Sequence, residues 1–143
     1  MRHLDGEGTS QYQAMRRMRP RYYTLELANS ALPLVSRITK DLRDTALEIR
    51  RAWEEVQAGG VSEAVRTEMT DRATLLQDRF MAYSEELDAL GIELKDPFEG
   101  LIDFRALRGD DEVYLCWRLG EDGVCHWHEL HTGFSGRQSI ETF

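Results

Sequence analysis

Three of the four histidines in this 143-residue chain fall within six residues, in Cys125-His126-Trp127-His128-Glu129-Leu130-His131. Imidazole and carboxylate side chains bind divalent metals and move protons near neutral pH. In His126-x-His128-x-x-His131 the first two imidazoles project from one side of a strand and the third lies just beyond it. With Glu129 as a further ligand or base, this set suits zinc or another first-row divalent ion, and a divalent-metal-dependent hydrolase is one expected function. The competing expectation is a binding or structural protein, with His128 hydrogen-bonded inside a sheet and His126 and His131 at the surface.

A second group holds Arg118, Trp127, Glu129 and Arg137. Glu129 beside Arg118 or Arg137 can form a polar pocket or a structural ion pair, and Arg118 can stack on Trp127. On the Arg118 pairing, loss of Glu129 should destabilise the fold more than loss of Glu121, which is read as a turn residue. Other chemistry is not legible, and the catalytic residues stay unassigned. Cys116 and Cys125 show no CxxC spacing and no activating base arrangement. Gly133-Phe134-Ser135-Gly136-Arg137 lacks the Lys-Ser/Thr ending of a phosphate loop.

These residues need a scaffold. Val113–Leu119 is the strongest strand signal, and Gly120-Glu121-Asp122-Gly123 followed by Val124–Leu130 completes a β-hairpin. With a loop of two or four residues, Val113, Leu115 and Trp117 share a face with Val124, His126, His128 and Leu130. A loop of three or five residues exchanges the pairing. Upstream, Ile92, Leu94, Leu101 and Ile102 form short runs around a Pro/Gly turn at 95–100.

The first half of the chain reads as helix. Thr24 is a plausible N-cap, and a short helix over about 25–31 bends or continues at Pro33 into a long one over about 33–57. Its apolar stripe is Val35, Ile38, Leu42, Ala46, Ile49, Trp53 and Val56. Gly59-Gly60 ends it and Ser62 caps a second helix, whose stripe runs Val65, Met69, Ala73, Leu76, Phe80, Tyr83, Leu87 and Leu90 before a stop at Gly91. A short connection folds two such helices into an antiparallel hairpin. The expected fold is therefore α+β: a long helical hairpin over 22–91, then a small antiparallel sheet over 92–143, in one domain behind a flexible basic leader at 1–21. One helix pair leaves flanking apolar positions such as Leu47 and Leu75 uncovered, so the chain is expected to self-associate through its helices into a homodimer or larger homo-oligomer.

Several stretches together resemble a bacterial family defined as domain of unknown function 2203. They are Tyr22–Asn29, Leu32-Pro33, Leu90–Asp96, Gly100–Phe104, Val113–Glu121, Trp127–Leu130 and Gly133–Arg137. The resemblance spans about residues 22–140 and keeps the family's order of motifs. It implies no activity, but it draws attention to Trp127-His128-Glu129 and Gly136-Arg137. His126 and His131 read as additions peculiar to this chain.

The net charge is −8, although the leader holds five arginines against two acidic residues. An acidic body is a poor partner for DNA or an anionic membrane, so neither nucleic acid nor a membrane is an expected partner. No apolar run approaches the roughly 20 residues that span a bilayer. The start of the chain has no signal-peptide pattern, and two cysteines in such a chain are expected to stay reduced, which points to the cytoplasm.

Overall fold

The computed structural model describes residues 21–143. The expected leader lies outside the described residues, apart from Arg21.

Helix α1 spans Leu25–Ala58 without a break, so the chain continues through Pro33. Thr24 Oγ1 accepts the Leu27 amide at 3.1 Å and caps the first turn. Pro33 is exposed, so the amide it lacks faces solvent. The buried stripe Ala28, Leu32, Val35, Ile38 and Leu42 holds the helix to the sheet on the opposite side. Helix α2 spans Glu63–Ala89, with Ser62 accepting the Val65 amide at 3.2 Å. It stops where Gly91 takes φ 73°, the left-handed conformation open to glycine at a helix end. The four-residue link folds α2 back along α1, and Arg72 reaches Glu48 across the pair at 3.4 Å.

Five strands follow: β1 (Ile92–Asp96), β2 (Leu101–Arg108), β3 (Asp111–Arg118), β4 (His126–Glu129) and β5 (Gln138–Ser139). They form one antiparallel meander in the order β1-β2-β3-β4-β5. Two long helices followed by an antiparallel sheet make the protein α+β, as its periodicities require.

Side chains alternate across a strand. Ile92, Ile102, Phe104, Ala106, Val113, Leu115, Trp117 and Trp127 therefore share one face, which meets Leu32, Val35, Ile38, Leu42 and Leu87 of the helices in a single apolar core. Tyr23 ties the helical layer to the sheet. Its amide donates to Arg105 O at 2.7 Å, its hydroxyl donates to Leu90 O at 2.6 Å, and its ring meets Phe104 edge-on at 5.0 Å.

The β3–β4 register follows the odd-loop alternative. Leu115 faces Trp127, Tyr114 faces His128 and Cys116 faces His126. Both histidines consequently leave the helix-facing side, where an even loop would have put them. They project from the outer face together with Tyr114 and Cys116.

Candidate functional site

The outer face is polar yet closed at its centre. Asp103, Cys116 and His128, from β2, β3 and β4, are all 0–1% exposed. Each follows or precedes a core residue in its strand, and alternation turns it away from the helices. One ligand atom from each, a carboxylate oxygen, the thiol sulfur and an imidazole nitrogen, lies within 4.8 Å of the others.

His128 is held at both ring nitrogens. Nε2 lies 2.9 Å from Asp103 Oδ2, and Nδ1 lies 2.7 Å from the carbonyl oxygen of Glu129. A carbonyl can only accept, so Nδ1 carries a proton. Burial pulls the His128 pKa down, but the hydrogen bonds to Asp103, Cys116 and the Glu129 carbonyl outweigh it and push it up to about 10. With no metal bound, His128 is an imidazolium at neutral pH. Asp103 Oδ1 is buried and has no hydrogen-bond partner among the described residues. A buried carboxylate oxygen in that position is costly and calls for an explanation.

Two charged shoulders flank this centre. On one side Tyr114 packs its ring 5.4 Å from His128, and Lys95 and Arg105 sit 4.8 Å and 5.9 Å from the Tyr114 centroid. Glu93 ties both cations down, at 3.2 Å from Lys95 and 3.7 Å from Arg105. On the other side Arg137 grips Glu121 through two nitrogens, at 2.6 and 3.1 Å, and donates to Cys116 O at 3.3 Å. Glu121 also accepts the Arg118 amide at 2.6 Å. Burial pushes the Glu121 carboxyl up, but its hydrogen bonds to Arg137 and the Arg118 amide hold it below the usual carboxylate range.

The expected residues are thus redistributed. His126, His128 and His131 each approach a different acid, Glu121 at 3.4 Å, Asp103 at 2.9 Å and Glu129 at 3.5 Å respectively. His126 lacks hydrogen-bond geometry to its acid, and the His131 side chain is 81% exposed. Only His128 belongs to the donor cluster. Arg118 pairs with Glu99 at 3.9 Å and lies over Phe134, not over Trp127. Trp127 is stacked under Arg108 at 4.6 Å. Arg137 takes Glu121, not Glu129, as its partner. Trp127, Glu129 and His131 do border one shallow concavity of about 280 Å³ with Arg108.

Sequence reasoning missed Asp103 and misjudged Cys116, which has an imidazole beside it after all. The available signal was Leu101-Ile102-Asp103-Phe104, an acid inside an otherwise apolar strand. The sequence said little about Cys116, because its neighbours in space lie 12 and 13 positions away.

A second candidate region lies on the far part of the hairpin. No residue from Leu47 to Arg72 is buried. There Ala52, Val65 and Met69 floor a groove of about 410 Å³, rimmed by Glu48, Glu55, Glu68, Arg51 and Arg72. Among the described residues no helix is long and apolar enough to cross a membrane.

Comparison with curated proteins and with solved structures returned no match. A family model described as an uncharacterised conserved protein, DUF2203, matches residues 21–140, from the strand bridge at Tyr23 through both helices and all five strands. The chain therefore belongs to that family.

Proposed function

We propose that this chain is a homo-oligomeric binding protein of the cytoplasm that assembles through the free part of its helical hairpin. The groove between Ala52, Val65 and Met69 carries this reading. At 1.5 Å per residue α1 is about 51 Å long, whereas an eight-residue strand is only about 27 Å. The hairpin outruns the sheet that covers its base. Its uncovered part leaves Trp53 36% and Val65 38% exposed, and Leu75 beside it is 65% exposed.

A second copy suits the groove better than an unrelated acidic or basic partner. The rim alternates glutamate and arginine, so a two-fold axis can set Glu of one protomer against Arg of the other. Burial of three or four such apolar side chains is the usual driving force of such contacts. Free thiols at Cys116 and Cys125 support a reducing compartment.

A binding role is favoured over a hydrolase centred on His126, His128, Glu129 and His131 because the three histidines meet three different acids and His128 is buried, where a substrate has no access. Light scattering on the full chain at micromolar concentration is the test. A dimer or larger particle is expected, and Val65→Glu with Met69→Glu should return it to the monomer. Particles of 16.6 kDa for the wild type would overturn the assembly.

A further inference from the structure

We propose that Asp103, Cys116 and His128 form a binding site for a borderline-soft divalent cation of the zinc class, built into the outer face of the sheet. Four observations converge. The three residues come from three adjacent strands, so the sheet's own hydrogen bonds fix their spacing, as precise sites require. Their donors are one carboxylate oxygen, one sulfur and one imidazole nitrogen, all within 4.8 Å of one another. Ligands about 2.0–2.3 Å from a tetrahedral ion lie roughly 3.3–3.5 Å apart, so the widest pair of donors must close by up to about 1 Å, within the reach of side-chain rotation, to complete the set. Sulfur with imidazole selects zinc and its neighbours over magnesium or calcium.

The third observation is the orientation of His128. Metal-bound imidazoles donate their other ring N–H to a carbonyl or carboxylate, which fixes the tautomer. Nδ1 of His128 already does this to Glu129 O at 2.7 Å, leaving Nε2, 2.9 Å from Asp103 Oδ2, to give up its proton to solvent as the ion binds. The fourth is the buried Asp103 Oδ1, which lacks a partner among the described residues. A cation at the cluster supplies the partner that Oδ1 lacks while His128 engages only Oδ2.

The site differs from the three-histidine set expected from sequence spacing and shares only His128 with it. It is independent of the proposed assembly, because the groove and the sheet's outer face share no residue. Its buried ligands fit a structural or storage role for the ion.

The test strips the full chain with a chelator and reloads it with zinc or with cobalt(II). The expected result is about one ion per chain and, for cobalt, a thiolate-to-metal charge-transfer band, which only a bound sulfur produces. Asp103→Asn and Cys116→Ser should each lower the content below about 0.2 per chain, while His126→Ala, His131→Ala and Cys125→Ser leave it near one. Wild-type content below about 0.2 overturns the site and leaves a buried ion pair in its place. Full content that disappears with His126→Ala or His131→Ala overturns it in favour of the surface histidines. If the ligand variants do not fold, the wild-type cobalt spectrum decides: binding without the sulfur band overturns the site.

Discussion

At the centre of the sheet its two faces are buried to the same degree and made of opposite materials. Ile102 and Phe104 on the helix side are 0% exposed, and Asp103 between them is 1% exposed on the other side. Leu115 and Cys116 repeat the contrast one strand over. The inner face is stabilised by apolar area removed from water, which is non-directional and tolerates changes of shape that keep volume. The outer face is stabilised by hydrogen bonds and opposite charges, which fail when one partner goes. Equal burial therefore hides unequal tolerance to substitution.

The largest effect that can break this contrast is Asp103→Ala. It leaves His128 buried without its acid and should cost about 3 kcal/mol, read from the urea midpoint. A loss below 1 kcal/mol, by the same measurement, would mean that the outer face is no less forgiving than the inner one.

Next is Glu121→Ala, which breaks the two-nitrogen contact with Arg137 and frees the end of β3, at about 2 kcal/mol. The expectation from sequence placed the larger cost at Glu129. The register reverses it, because among the described residues the Glu129 carboxylate pairs with the exposed His131 alone.

Part of the Glu121 contribution is visible through acid. Its folded carboxyl titrates below its unfolded value, so the stabilisation is complete above the unfolded pKa of about 4.3 and disappears as pH falls through the lower folded value. Wild type should therefore lose more stability than Glu121→Gln on acidification below pH about 5. Parallel acid curves for the two would remove the pairing.

A volume-conserving Ile102→Leu on the inner face should stay within about 1 kcal/mol, which sharpens the contrast with its neighbour Asp103. Smallest is Glu129→Ala, expected under about 0.5 kcal/mol because the side chain is half exposed. A cost approaching that of Glu121→Ala would restore the earlier ordering.

The helical half was legible because its information is local. Apolar spacing at Val35, Ile38 and Leu42, the Thr24 and Ser62 caps and the Gly91 stop each act within a few residues. The meander was legible in outline for the same reason: Val113–Leu119 and the Gly120–Gly123 turn announce a hairpin. The site was only partly legible. His128 stood out by residue type, yet its partners Asp103 and Cys116 were invisible as partners, since a sequence does not state which strands are neighbours.

By itself the sequence determined the α+β class, the hairpin length and the chemistry on offer: imidazole, carboxylate, thiol and guanidinium near the C-terminal half. Tertiary structure decided which of them meet. The reason is the two-residue period of a strand. A change of one residue in the β3–β4 connection moves His126 and His128 from one face of the sheet to the other. An odd connection placed His128 over Asp103 and Cys116 and gave Arg137 to Glu121, outcomes fixed by register across strands and not by any spacing along the chain.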